Sequence, residues 1–294
     1  MNLKTLFSLL KETFQEWQDD NASLLASSLA YYTIFSLAPL VILVIAIVGA
    51  IFGEEAAKGE IVSQIRGLVG VEGAKVIESA IANSAQPNTS RWASFISVVV
   101  LFFGASGVFG QLQDALNTIW NVKVKPGLNI TNLIKKRILS FTAVIGIGFL
   151  LLVSLVINAA IAALNHYLSG FLPGGDFIWQ FLNFALSFAV VTFLFALMYK
   201  FLPDVHITWR DVTVGAIITA FLFTIGKSLL GAYLGSGSFG TTYGAAGSLV
   251  VILLWVYYSA QILFFGAEFT QIYAKKYGSQ IVPNDFAVHM GDKK

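Results

Sequence analysis

The sequence predicts an all-α membrane fold: a bundle of six transmembrane helices with an N-terminal interfacial helix and a helical outer loop. Three observations predict it. Hydrophobic residues make up 56% of the 294 residues and charged residues only 12%, whereas a soluble domain carries roughly 25% charged residues. So few polar groups cannot coat a globule of this length, and the chain requires an apolar solvent. Six stretches then reach the roughly 20 mostly apolar residues that a helix needs to cross hydrocarbon, at 23–52, 92–110, 138–163, 177–201, 212–234 and 249–273. Finally, lysine and arginine gather in alternate connecting segments.

The first 22 residues form the interfacial segment. Leu3, Leu6, Phe7, Leu10, Phe14 and Trp17 fall on one helical face, with Lys4, Lys11 and Glu12 off it. That pattern fits a helix lying in the membrane interface, or one packed against the protein itself. The transmembrane domain occupies 23–273, and 274–294 is a short cytoplasmic tail. Within the first span Pro39 permits a bend, and Ser28, Tyr32 and Ser36 recur every fourth residue. Tyr31 and Tyr32, about 12 Å from the entry point, are expected to find hydroxyl partners on neighbouring helices or to line a cavity. The outer loop, 53–91, carries Ile61, Ile65 and Leu68 on one face and Ile77 and Ile81 on another, after Gly70 and Gly73. Two short amphipathic helices are expected there.

Orientation follows the positive charges. With the N-terminus inside, the cytoplasmic segments hold Lys4, Lys11, then Lys123, Lys125, Lys135, Lys136 and Arg137, then Lys200 and Arg210, and finally Lys275, Lys276, Lys293 and Lys294. The outer side holds Lys58, Arg66, Lys75 and Arg91, all in the long loop. Both termini are therefore expected on the cytoplasmic side. The inner cluster Lys123–Arg137 reads as a contact for anionic lipid heads. It lacks the aromatic interleaving of an RNA-binding surface, and a net charge of +2 gives no reason to expect nucleic acid.

Several chemistries are excluded or set aside. The chain has no cysteine, which removes disulfides, thiolate metal sites and cysteine nucleophiles. His166, His206 and His289 are far apart, so no metal and no cofactor is expected. Gly235–Gly240 matches a dinucleotide fingerprint, but it follows a membrane helix rather than a strand and is set aside.

Ionisable groups inside spans are costly, so they are candidates for function, with interhelical packing as the alternative. Gly107, Gly110, Gln111, Asp114, Asn117 and Asn121 share a face at the end of the second span. Ala216, Ala220, Thr224, Lys227 and Gly231 form a small-residue stripe in the fifth. Tyr257, Gln261, Phe264 and Glu268 share a stripe in the sixth. Lys227 is expected in the outer third of its span. Asp114 and Glu268 are expected near the inner face, in one polar cluster with a lysine or arginine.

Longer blocks are informative as well. SLAYYTIFSLAPLVIL in the first span, GASGVFGQLQDALNTIWNV after the second, LPDVHITWRDVTVGAIITA into the fifth and YGAAGSLVVILLWVYYSAQILFFGAEFTQIYAKKYG through the sixth resemble the YihY/BrkB family of bacterial inner-membrane proteins. The resemblance covers about residues 14–278, with Ser27 and Ser28 where the family commonly has alanines. It implies a six-helix inner-membrane protein linked with envelope integrity, serum resistance and lipid transport. The family label ribonuclease BN is generally regarded as mistaken. The residues agree, since metal-dependent hydrolysis needs clustered carboxylates or histidines at the inner face. No nucleophile–base pair is visible, and no enzyme is expected.

Together these readings lead to a transporter-like protein that moves a lipid or other amphipathic, or anionic, envelope molecule without ATP hydrolysis. Its path would combine Tyr31, Tyr32, Asp114, Asn117, Lys227, Tyr257, Gln261 and Glu268. The alternative is a non-transporting scaffold for envelope assembly or integrity. Membrane lipids are the expected partners in both.

Overall fold

The structure is a computed structural model that describes residues 3–53, 107–127, 176–235, 247–279 and 281–291, with isolated positions between 55 and 79. Helix α1 (Leu3–Asp19) leads into α2 (Ala22–Phe52), and α3 over 107–119 leads into strand β1 (Val122–Val124). Then come α4 (Asp176–Phe201), β2 (Val205–His206), α5 (Trp209–Gly235), α6 (Gly247–Tyr277), β3 (Val282–Pro283) and β4 (Ala287–His289).

Among the described residues, three helices are long and apolar enough to cross a bilayer, over Phe184–Phe201, Trp209–Leu230 and Leu249–Tyr277. A shorter apolar stretch, Ala22–Leu37, belongs to α2, which continues as helix through Pro39. These helices coincide with the first, fourth, fifth and sixth expected spans. The third span, most of the second, most of the 53–91 loop, and Lys135, Lys136 and Arg137 lie outside the described residues.

Hydroxyls in these apolar helices are satisfied at home. Thr33 donates to the carbonyl of Leu29, Thr192 to Phe188, Thr219 to Gly215, Thr224 to Ala220 and Thr270 to Gly266, at 2.6–2.8 Å. Each is the i−4 acceptor of its own helix, which removes the cost of an unpartnered hydroxyl in hydrocarbon.

The chain divides into two compact units. The first comprises residues 1–16, 116–224 and 265–294. Its core includes Leu9 of α1 with Phe269 and Ile272 of α6, flanked by Leu6, Leu10, Val214, Ile218 and Tyr273. Here α5 and α6 touch with almost nothing between their backbones. A β-carbon on Gly215 would collide with Thr270, lying 2.7 Å from that residue's own Cβ. One on Gly266 would collide with Thr219 and lie 2.6 Å from the Tyr199 hydroxyl. Small residues at such crossings let helices pack in lipid, where no hydrophobic force drives them together. Tyr199, fully buried, shares a 2.9 Å hydrogen bond with Thr219.

Two antiparallel ribbons add to the helices in this unit. β1 pairs with β4, Val122 opposite His289 and Val124 opposite Ala287, and β2 pairs with β3, Val205 opposite Pro283. The residues after α6 thus form two strands rather than a loose tail. Asn121, at φ 54°, makes the left-handed turn that carries the chain from α3 into β1, a conformation asparagine adopts more readily than most residues. Its carbonyl accepts from Met290 N at 2.8 Å.

The second unit comprises 17–115 and 225–264. In it α2 buries Ala22, Ala26, Leu29, Ala30 and Ser36. Gly107 of α3 sits where a β-carbon would lie 3.3 Å from Ser36 Oγ, and Gly226 of α5 packs against Tyr258 and Ile262.

Candidate functional site

The polar contacts that the first unit displays are built on two buried aspartates, Asp204 and Asp211. Asp204 follows α4 and is held from both sides. Asn117 of α3 reads it twice: Nδ2 donates to its carboxylate at 2.8 Å, and Oδ1 accepts from its backbone N–H at 2.7 Å. Asn284 of the C-terminal segment also reads it twice, through Nδ2 to the other carboxylate oxygen at 3.3 Å and through its own N–H to the Asp204 carbonyl at 2.9 Å. Hydrogen bonds to a charged group are worth about 1.5–3 kcal/mol each, so the loop before α5 is pinned to α3 and to the C-terminal segment.

Asp211 stands in the first turn of α5. Thr208 precedes the helix and donates to its carboxylate at 2.7 Å, while the Val212 N–H bonds to the Thr208 carbonyl. The same carboxylate oxygen accepts from the Ser279 N–H at 2.9 Å and the Ser279 hydroxyl at 2.8 Å. A carboxylate here also complements the positive end of the α5 dipole. Asp211 therefore ties the residue before α5 to the chain as it leaves α6. Gly278 makes room for this, because a β-carbon there would collide with the carboxylate.

Gln271 of α6, fully buried, donates to the Ile119 carbonyl of α3 at 2.7 Å. Beside these contacts lies a cavity of about 280 Å³ between Trp120, Asn121, the last turn of α6 (Ala274, Lys275), Gly278, Ile281 and His289.

The expected path residues divide between the units. Asn117 and Glu268 lie in the first and are buried, Glu268 completely. Tyr31, Tyr32, Asp114, Lys227, Tyr257 and Gln261 lie in the second. There Gln261 donates to Ser23 Oγ at 3.2 Å, joining α6 to α2. Tyr257 is half-buried, and Asp114 and Lys227 are exposed.

Tyr31 and Tyr32 are 61% and 44% exposed. The alanines of α2 take the packing face, which leaves the bulkier rings outside. Tyr31 meets Tyr32 edge-on at 6.0 Å and Phe35 at 4.9 Å. Lys123 in the middle of β1 and Lys125 just after it are exposed.

The sequence alone assigns Asp204 and Asp211 no role. Thr208 and Asp211 stand three apart just before an apolar run, which is the spacing of a capping box, so that signal was present. Nothing local in the sequence marks Asn284 or Ser279.

Comparison with known proteins completes the description. The Virulence factor BrkB family matches residues 13–286. A UPF0761 membrane protein of Verminephrobacter eiseniae is 29% identical over 280 residues, covering 91% of this chain and 61% of the relative. One from Albidiferax ferrireducens is 29% identical over 261 residues, covering 86% of this chain and 59% of the relative. One from Mannheimia succiniciproducens is 28% identical over 276 residues, covering 92% of this chain and 90% of the relative. The chain thus spans about three fifths of the first two relatives and most of the third. No solved structure matches it. With a family match running through nearly its whole length and apolar helices long enough to span a bilayer, the chain belongs to the Virulence factor BrkB family of membrane proteins.

Proposed function

We propose that the protein moves a lipid or another amphipathic envelope molecule across the bacterial inner membrane without hydrolysing ATP. The observation that carries this reading is Lys227, a cation exposed on a helix that otherwise buries its small-residue face. Gly215, Ala216, Thr219, Ala220 and Gly226 are buried while Lys227 is open. At 1.5 Å per residue, Lys227 lies roughly 27 Å along the helix from Trp209, close to the far boundary of a ~30 Å hydrocarbon layer. A cation there meets headgroups, pairs with an acid, or binds an anionic ligand. The exposed Tyr31 and Tyr32 offer hydroxyls and ring faces suited to an amphipathic molecule.

The orientation is part of the proposal. The ends bearing Lys123, Lys125, Arg210 and Lys275 face the cytoplasm, and Lys227 faces outward. The scaffold reading draws on a different observation, the close α5–α6 contact at Gly215 and Gly266, which suits a rigid element.

Lys227→Met tests the part of the transport reading that rests on this residue. Transport through this residue predicts loss of lipid movement in reconstituted vesicles, with expression and melting temperature near wild type. Full retention of movement makes Lys227 an anchor and places the path elsewhere.

A further inference from the structure

Helix α1 has two faces that the sequence does not distinguish, and the structure separates them. Leu9 is 1% exposed and packs with Phe269 and Ile272, with Leu6 and Leu10 alongside. Thr13 joins that buried face, its hydroxyl satisfied by the Leu9 carbonyl at 2.8 Å. Glu12 is ion-paired with Lys276 at the end of α6. This face fixes the helix to the ends of α5 and α6.

The other face carries Lys4, Phe7, Lys11 and Phe14, at spacings of three and four residues, and all four are exposed. Phe7 is 72% exposed and Phe14 50%. Alternating cations and aromatic rings along one stripe have little to gain from bulk water. The surrounding charge has the same sign, since Lys123, Lys125, Arg210 and Lys275 are exposed in the same unit. In that unit Asp285 is exposed, whereas Asp204, Asp211 and Glu268 are buried and Glu12 and Glu16 are partly covered.

We infer that the Lys4–Phe7–Lys11–Phe14 stripe of α1 is a docking surface for the anionic lipids of the leaflet that α1 lies against. The lysines meet phosphate headgroups, and the phenylalanines enter the boundary between headgroups and acyl chains. An interfacial helix binds by this combination of buried apolar area and attraction to anionic lipid. The inner face of α1, anchored to two spans, holds the stripe at that depth. The surface is independent of any transport path.

The cysteine-free chain allows a direct test on the full-length protein. Phe7→Cys and Phe14→Cys, each labelled with bimane, are reconstituted in phosphatidylcholine vesicles with and without phosphatidylglycerol. The expected result is a blue-shifted emission, quenched by lipids brominated near the headgroup and shielded from iodide, with stronger shielding when phosphatidylglycerol is present. Adding Lys4→Glu and Lys11→Glu removes the phosphatidylglycerol-dependent part and leaves the melting temperature in detergent unchanged. Iodide quenching as complete as for free bimane in both vesicle types overturns the proposal. So does energy transfer between labelled copies that rises with protein density, which assigns the stripe to a second copy of the chain. Shielding that the charge reversals leave intact overturns the anionic part.

Discussion

Gly215→Ala is expected to destabilise the protein more than any other single-methyl change in α5, by about 1–3 kcal/mol for overpacking and more if the helices cannot separate. The added β-carbon meets the side chain of Thr270, whose hydroxyl is already committed to the Gly266 carbonyl at 2.6 Å. Thr270 cannot turn away without giving up that bond. The second mutation of a cycle isolates the effect: Thr270→Ala removes the colliding hydroxyl and methyl and leaves only the Cβ at 2.7 Å, so the double variant should recover part of the loss. Thermal unfolding in detergent, followed by fluorescence-detected size exclusion, measures both. If Gly215→Ala melts like the wild type, α5 and α6 do not approach as closely as described. If Thr270→Ala brings no recovery, the collision is not the cause.

Asn117→Leu carries the second large effect. It preserves approximate volume and apolar packing but withdraws a donor from the buried Asp204 carboxylate and an acceptor from the Asp204 N–H. Losing a hydrogen bond to a charged group costs about 1.5–3 kcal/mol, and leaving the Asp204 N–H unsatisfied costs about 1–3 kcal/mol more. The Asn284 bonds to Asp204 remain, which places the expectation at the lower end, about 3 kcal/mol. The same melting assay checks the stability. Limited proteolysis adds a readout specific to this site, since residues 281–291 should become cleavable as their anchor weakens. A variant as stable and as resistant as wild type would mean that the two Asn117 bonds are not made.

The apolar helices were legible because a hydrocarbon solvent imposes length and composition together. Runs predicted at 23–52, 177–201, 212–234 and 249–273 meet helices Ala22–Phe52, Asp176–Phe201, Trp209–Gly235 and Gly247–Tyr277. Two ends coincide and the other six lie one to four residues further out, as at α5, where polar residues such as Arg210 and Asp211 start the helix ahead of its apolar run. The small-residue stripe of α5 was legible at Ala216 and Ala220, both fully buried. Its closest contacts, at Gly215 and Gly266, depend on which turn of α6 lies opposite, which composition does not encode.

Helix α1 was legible as amphipathic but not in its detailed facing. Phe7 and Leu9 are equally apolar in sequence, yet one is exposed and the other buried. Thr13 reads as polar yet is buried, because its own helix supplies the acceptor. The ribbons were not legible at all. Strands of two or three residues are too short to show a period of two, and each finds its partner in a distant part of the chain. The Asp204 and Asp211 contacts depend on the same long-range meeting with Asn284 and Ser279. The exposure of the α2 tyrosines was not legible either, because it depends on the neighbouring alanines taking the packing face.

The proposal that this protein carries lipid across the membrane is tested most directly by a leaflet-access assay on the full-length chain. Vesicles with and without the protein are prepared with a trace of fluorescent phosphatidylglycerol, and dithionite is added from outside. The account predicts bleaching beyond the outer-leaflet share in protein-containing vesicles, rising with protein-to-lipid ratio and lost in Lys227→Met. Bleaching that stops at the outer-leaflet share with and without protein, at verified incorporation and for charged and neutral probes alike, would contradict it.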